Sequence, residues 1–500
     1  MPVSAPRRNR IVCTLGPACT EPAVLERMIH AGLDVARFNF SHGTHESHAA
    51  MLEKLRQAAQ QAGRPIGVLQ DLCGPKIRVG EMPGGAVQIT DGQEVVFFTG
   101  PSAQAPAGEL PVEYDALTKD VKVGDRILFD DGALEAAVVE EGARAVKLRF
   151  LRGGVLKTRK GMNLPGVKVS APSVTEKDLA DLEWGLAHGV DFVALSFVRA
   201  PEDLQPVRER LAKVKDPPLL LAKIEKPEAV ARLEEIVRAS DGIMVARGDL
   251  GVEMDFEKVP PIQKRLIRLC NELDKPVITA TQMLESMTQN ARPTRAEVSD
   301  VSNAILDGTD AVMLSGETAS GKYPVEAVET MDRIAREAEQ YYLSARLEQT
   351  APPSDHQANG LHDALALGVE RIARSLHIKA IVVITQSGET ARFVASSRPR
   401  VPILALSPSA RALRRMTLYW GVIPAPCGEY INPNEALKQA EAAVKEQGLA
   451  KVGDTIAVAV GREGTEAFSG RIHIHRIERQ FQSLTMVLRK DTGRIVKEGN

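Results

Sequence analysis

Residues 219–250 read LLLAKIEKPEAVARLEEIVRASDGIMVARGDL. The stretch opens on an apolar run at 219–224, passes through a segment of helical periodicity and closes on a second apolar run at 243–247. A buried strand, a helix and a second buried strand in that order make a parallel βαβ unit, because parallel strands need a crossover long enough to carry a helix. Both strands end in charge: Lys223 and Glu225 close the first, and Arg247, Gly248 and Asp249 follow the second.

The same alternation recurs from residue 10 to about 345. It predicts further strands at 11–16 (IVCTLG), 35–40 (VARFNF), 67–72 (GVLQDL), 192–197 (FVALSF), 277–281 (VITAT) and 311–315 (AVMLS), eight in all with the two above. Eight βα units are the count of a closed (β/α)8 TIM barrel. The rhythm breaks between 72 and 192, and the texture from about 73 to 169 changes to Gly and Pro punctuation with short alternating runs at 94–100, 125–131 and 145–151. That texture predicts a small all-β domain inserted after the third strand. After APPSDHQANG at 351–360, a helix over 361–376 and strands at 380–385, 403–406 and 455–460 predict a separate C-terminal doubly wound α/β domain. The expected division is a barrel of 1–72 and 170–345, an insertion of 73–169, an α/β domain of 346–477, and an extension of 478–500 without an assigned role.

Composition narrows the function classes. A chain of 500 residues exceeds what one core sustains, and 44% hydrophobic with 26% charged residues is a globular balance that excludes a fibrous or disordered chain. Lys plus Arg number 63 against 65 Asp plus Glu, a net charge of −2 without a long block of one sign, so nucleic acid and membrane surfaces are not expected partners. No apolar run approaches the roughly 20 residues of a spanning helix. Gly16 and Pro17 interrupt the amino terminus before a signal-peptide core develops, which makes the cytoplasm the expected location. Cys13, Cys19, Cys73, Cys270 and Cys427 lack metal-ligand spacing and read as reduced thiols.

In a barrel of this kind the chemistry gathers at the carboxyl ends of the strands. Arg37, Asn39, Ser41 and His42 stand there on strand two, Asp71, Lys76 and Arg78 on strand three, Thr281 on strand seven, and Ser315 and Glu317 on strand eight. Glu225 and Asp249 follow adjacent strands about 4.8 Å apart, so both carboxylates can reach one ion. Two carboxylates suit Mg²⁺ or Mn²⁺ and leave positions for water and substrate oxygens. A turn cap at Asp249 and an ion pair at Glu225 is the structural alternative. Arg37, Arg78 and Lys223 suit an anionic, phosphoryl-bearing substrate. GxxxxGK[ST], GxGxxG, HExxH and GxSxG are absent, so a nucleotide needs some other cradle. TQSGET at 385–390, before a helix starting near Glu389, is either a phosphate cradle or a plain helix cap.

From about residue 10 to about 475 the chain resembles the pyruvate kinase family. The resemblance rests on IVCTLGPA (11–18), ARFNFSHGTHESH (36–48), DLCGPKIRVG (71–80), GMNLPG (161–166), AKIEKPE (222–228), GIMVARGDLGVE (242–253), ITATQMLESM (278–287) and RPTRAEVSDVSNAILDGTDAVMLSGETASGKYP (292–324), in that order. It implies transfer of the phosphoryl group of phosphoenolpyruvate to ADP, giving pyruvate and ATP in the last step of glycolysis, by a homotetramer regulated by a phosphorylated metabolite. Glu225 and Asp249 then look like ligands of the divalent ion, and Lys223 like the cation that stabilises the phosphoryl group in transit. Arg37 and Arg78 would hold the transferring phosphate, Asn39 and His42 the nucleotide, and backbone N–H groups around Arg247, Gly248 and Asp249 the substrate carboxylate. Thr281 would face the enolate where it is protonated, directly or through water. Asp130 or Asp131 would approach the nucleotide's metal as the β-domain closes like a lid.

Two departures from the family pattern carry further expectations. K⁺-requiring members read approximately DTKGPEIRTG at strand three, where this chain has Leu72 and Lys76. The Lys76 ammonium is expected to replace the monovalent cation among Asn39, Ser41 and Asp71, so K⁺ is not required. Members activated by fructose 1,6-bisphosphate carry basic residues in the TxSGxS loop, whereas this chain has Gln386 and Glu389. Thr385, Ser387 and Thr390 are expected to hold one phosphate, favouring a sugar monophosphate or AMP over the bisphosphate.

Overall fold

The computed structural model describes residues 6–348, 361–429, 433–460, 471–478, 485–488 and 495–498. Eight parallel strands close a barrel: Arg10–Thr14, Val35–Asn39, Gly67–Leu72, Phe192–Leu195, Leu219–Ile224, Gly242–Ala246, Val277–Ala280 and Ala311–Leu314, the last pairing with the first. Every expected barrel strand is present, most ending a residue or two early. At residue 247 the expected strand has already become the helix Arg247–Glu253. The chain divides into two compact units, residues 1–70, 188–193 and 267–500, and residues 71–187 and 194–266.

Four buried or half-buried aspartates, one just before every second barrel strand, repeat a single device. In the first unit the Asp34 N–H donates to Ile11 O at 3.0 Å while Asp34 Oδ2 accepts the Ile11 N–H at 2.9 Å. Asp191 makes the same reciprocal pair with Val68 (2.9 and 3.0 Å), and Asp310 with Val277 (3.0 and 2.9 Å). In the second unit Asp241 does so with Leu220, at 2.8 Å both ways. A first-strand N–H that the sheet leaves unpaired is thereby satisfied by a side chain standing in for a peptide carbonyl. Each carboxylate has an arginine: Arg7 lies 2.7 Å from Asp34, Arg208 2.8 Å from Asp241, Arg414 3.0 Å from Asp191 and Arg398 2.9 Å from Asp310. Arg398 and Arg414 come from the C-terminal part of the chain, so two of the four clasps also seat the α/β sheet on the barrel. Trp420 adds to this contact, with the guanidinium groups of Arg8 and Arg398 5.3 and 4.8 Å from its ring.

Burial pushes the Asp34 carboxyl up, but Arg7, Arg10 and Arg64 outweigh it and hold it below the ordinary carboxylate value. Asp34→Ala takes the shared carboxylate from the buried Arg7 and Arg10 guanidinium groups, leaving Arg7 only its ion pair with Asp332 and Arg10 only carbonyl acceptors, and is expected to cost about 3 kcal/mol, read as a lower urea midpoint at unchanged slope. The depressed pKa fixes the sign of the pH dependence. The Asp34 contribution is complete above the unfolded value of about 3.9 and is lost as pH falls through the lower folded value, so the gap between wild type and variant narrows in acid.

The C-terminal sheet of the first unit runs Val422–Pro426, Ile403–Ser407, Ile381–Ile384, Thr455–Val460, Arg471–Arg476, with the last strand antiparallel. Both outer strands are additions to the expected set. Pro424 and Pro426 disguise the first, and they are tolerated because an edge strand need not donate from every residue. In the extension, strand Thr485–Leu488 pairs antiparallel with Ile495–Glu498. The APPSDHQANG segment lies outside the described residues.

The second unit carries a six-stranded sheet ordered Met162–Asn163, Arg126–Phe129, Leu134–Glu141, Ala145–Arg152, Glu94–Thr99, Leu110–Val112. The three runs expected from alternation all form strands of it. Phe97, Phe129 and Phe150 form its centre, with ring centroids 5.2, 5.5 and 6.3 Å apart. Among the described residues no helix is long and apolar enough to cross a membrane.

Candidate active site

Within the second unit, the carboxyl ends of three strands converge on one ammonium group. Lys223 and Glu225 are two residues apart at the end of Leu219–Ile224, so the strand's period of two directs both side chains the same way. Lys223 Nζ lies 2.7 Å from Glu225 Oε1, 3.3 Å from Asp71 Oδ1 and 2.7 Å from Ser196 Oγ, to which it donates. Ser196 in turn donates to Leu72 O at 2.8 Å. Glu225 Oε2 accepts the Phe197 N–H at 2.9 Å, a contact set by the left-handed backbone of Phe197 at φ 57°. Space for this corner depends on Gly74, at φ +69°: a Cβ there would stand 2.7 Å from the Phe197 ring.

The Lys223, Glu225 and Asp71 side chains are 10%, 2% and 1% exposed, so a cation and two anions meet away from water. Burial is the largest influence on Glu225 and pushes its carboxyl above the ordinary value; Lys223 opposes this and the charge of Asp249 adds to it. Asp249 lies in the first turn of Arg247–Glu253. The buried Glu225 carboxylate and the half-buried Asp249 carboxylate, whose charge it feels, supply hard oxygen donors that fit an Mg²⁺ or Mn²⁺ ion. Among the described residues no group of three or more His, Cys, Asp or Glu side chains gathers as a fuller cage.

Lys76 is placed differently from expectation. Its ammonium pairs with Asp131 Oδ1 at 3.9 Å, while Asp71 lies against Lys223. The reason is local: Asp71 ends strand three beside strand four, and Ser196 at the end of strand four brings Lys223 to it. Lys76 lies five residues beyond Asp71, on the path into the inserted sheet. Asp130 pairs with Lys160 at 2.8 Å, and Asp130, Asp131 and Gly132 form a tight turn with φ of 50°, 53° and 88°. The Arg78 guanidinium donates to Arg159 O at 3.0 Å.

In the first unit, Arg37, Asn39 and His42 line a cleft of roughly 790 Å³ together with Thr14 and Ser315. Arg37 is buried and donates to Thr14 Oγ1 at 2.9 Å, and Asn39 Oδ1 accepts the Ser41 N–H at 3.1 Å. Thr281 follows strand seven with φ 67°, a costly conformation for a β-branched residue, and its hydroxyl donates to Ala280 O at 2.6 Å. Glu317 plays a structural part, since it is fully buried and accepts the N–H groups of Leu284 and Ser315 at 3.0 and 2.6 Å.

The 385–390 loop leads into the helix Glu389–Ser396. Thr385 Oγ1 accepts the Gly388 N–H at 3.1 Å and Ser387 Oγ accepts the Glu389 N–H at 3.4 Å; Thr385 and Thr390 are 3% and 8% exposed.

Sequence reading missed Ser196 and Phe197. The available signal was a hydroxyl residue at the carboxyl end of FVALSF, where a strand otherwise composed of apolar side chains would have no use for it.

Comparison with known proteins identifies the family to which this fold belongs. Residues 6–328 match the family described as pyruvate kinase, barrel domain, and residues 363–475 match pyruvate kinase, alpha/beta domain. A pyruvate kinase of Geobacillus stearothermophilus is 46% identical over 458 residues, covering 91% of this chain and 78% of that one. A pyruvate kinase of Staphylococcus aureus strain MRSA252 is 45% identical over 459 residues, with the same coverage. The crystal structure of a pyruvate kinase from Cryptosporidium parvum superposes with a TM-score of 0.85 at 36% identity, covering 94% of this chain and 96% of that one. With family matches across its barrel and its α/β region and 45–46% of the aligned residues identical to two of these enzymes, the chain belongs to the pyruvate kinase family.

Proposed function

We propose that this chain transfers the phosphoryl group of phosphoenolpyruvate to ADP. The observation that carries the proposal is the buried Lys223 ammonium held by Ser196, Glu225 and Asp71 at the carboxyl ends of three barrel strands. A terminal ADP oxygen attacks phosphorus, the bond from phosphorus to the enol oxygen breaks, and the enolate of pyruvate leaves. Lys223, pre-oriented by three oxygens, faces the migrating charge without reorganising, which is where buried cations contribute most. Arg37 and Arg78 bind the transferring phosphate, Asn39 and His42 orient the nucleotide, and backbone N–H groups near Gly248 and Asp249 take the substrate carboxylate. Thr281 directs a proton to the enolate carbon, and its strained backbone supports an assignment to function. Glu225 and Asp249 hold Mg²⁺ or Mn²⁺, which when bound supplies Lewis-acid neutralisation of substrate oxygens. Asp130 and Asp131, in the turn that follows Arg126–Phe129, act on the nucleotide side as the inserted sheet excludes water.

The enzyme works without K⁺ on this reading. What supports it is the fixed positive charge of Lys76 on the loop after strand three, rather than a direct contact with Asp71. The test is pyruvate formation with Mg²⁺ in buffers free of monovalent metal ions, then with K⁺ added, for wild type and Lys76→Glu. Wild type is expected to be active without K⁺ and the variant to depend on it; wild-type silence until K⁺ arrives would remove this part of the reading.

The 385–390 loop is read as a site for one phosphate of a sugar monophosphate or AMP, with Glu389 disfavouring fructose 1,6-bisphosphate. Because Thr385 and Thr390 are buried, Ser387 and the loop N–H groups carry most of that role. A cytoplasmic homotetramer is the assembly that family membership supports.

A further inference from the structure

We propose that Glu253 is a positioning residue, one carboxylate that fixes the base of the inserted sheet to both segments bearing the divalent-ion ligands. The proposal rests on the assignment of Glu225 and Asp249 above. Glu253 is the last residue of the helix Arg247–Glu253 and is 5% exposed. Its Oε1 accepts from Asn163 Nδ2 at 2.8 Å and lies 2.7 Å from Lys226 Nζ.

Each partner leads somewhere that matters. Asn163 belongs to the short strand Met162–Asn163, paired antiparallel with Arg126–Phe129 through Asn163 with Leu128 and Met162 with Phe129. That second strand runs directly into Asp130 and Asp131. Lys226 is the neighbour of Glu225, and its ammonium stands 5.7 Å from the centre of the Phe197 ring, whose N–H holds Glu225. Asp249 precedes Glu253 by four residues, one turn of the same helix. The lid base, the Glu225 segment and the Asp249 helix therefore meet at a single carboxylate.

The chemistry of the contact argues against simple packing. Asn163 Oδ1 is buried with no hydrogen-bond partner among the described residues, so the amide is only half satisfied where it stands. An apolar side chain would fill that place without leaving a polar atom unpaired. What the amide uniquely supplies is the bond from Nδ2 to Glu253. A lid base that shifted would stretch this bond while Lys226 held the carboxylate, passing the displacement to the two ligand-bearing segments.

The test uses the full chain with Glu253→Gln, Asn163→Ala, the double variant, and Glu225→Gln as a control. Mn²⁺ alone is titrated with the free ion followed by electron paramagnetic resonance, and kcat and KM are measured for both substrates, all per folded molecule as judged by circular dichroism. Glu253→Gln keeps the shape of the side chain and is expected to weaken Mn²⁺ binding and lower kcat by about tenfold each, the lower end of what outer partners of metal ligands contribute. Asn163→Ala is expected to act in the same direction and to add nothing in the double variant, since both remove one connection. Wild-type Mn²⁺ affinity and kcat in folded Glu253→Gln, with only thermal stability reduced, would overturn the proposal, as would effects that multiply in the double variant. Unchanged Mn²⁺ binding in Glu225→Gln would instead overturn the divalent-site assignment, and the role of Glu253 with it.

Discussion

Lys223→Met is expected to lower kcat for pyruvate formation by about 10²–10³-fold, the range for deleting one preorganised group that meets developing charge. The KM for phosphoenolpyruvate should move far less. Methionine retains the unbranched stem, so the change isolates the ammonium, which in the wild type is held 2.7 Å from Ser196 and Glu225. An interaction made more strongly with the migrating phosphoryl group than with bound substrate appears in kcat rather than in KM. The variant also leaves Asp71 and Glu225 without their shared cation, so thermal unfolding must accompany the kinetics. A folded variant with kcat within a few-fold of wild type would remove Lys223 from the catalytic step.

Glu225→Gln is expected to reduce kcat/KM at fixed Mg²⁺ by about 10²–10³-fold, the equivalent of the several kcal/mol that a metal's charge contributes at a phosphoryl oxygen. The amide keeps the volume, and its oxygen can still accept the Phe197 N–H, so folding should survive. Raising Mg²⁺ should recover part of the loss, because Asp249 remains as the second carboxylate of the pair. Steady-state kinetics across a Mg²⁺ series check this; activity that is independent of Mg²⁺ concentration and close to wild type would place the divalent ion elsewhere.

The barrel was legible because apolar runs and helical segments alternate from residue 10 onward, and the inserted sheet because the period changes from helix to strand between 73 and 169. Charge at the ends of otherwise apolar strands marked Lys223 and Glu225, although Glu317 at the end of strand eight carries the same mark and serves the fold. The rest depended on geometry that spacing does not encode. The four aspartates that clasp strand starts sit one per βα pair, yet singly each reads as an ordinary loop residue; only their repeated bonding to Ile11, Val68, Leu220 and Val277 reveals a device. The family pattern at strand three puts Asp71 beside Lys76, but Lys223, far along the chain, is its ion-pair partner in space. Edge strands of the C-terminal sheet escaped notice because Pro424 and Pro426 in one and His473 and His475 in the other dilute the apolar pattern.

If the Lys223 cluster carries phosphoryl transfer from phosphoenolpyruvate to ADP, product stoichiometry reports it directly. Purified full-length protein with both substrates and Mg²⁺ is predicted to release pyruvate and ATP in equal amounts, and Lys223→Met to lose both together. Pyruvate without matching ATP would exclude ADP as the phosphoryl acceptor, and an undiminished yield of both from the variant would exclude Lys223 from the transfer.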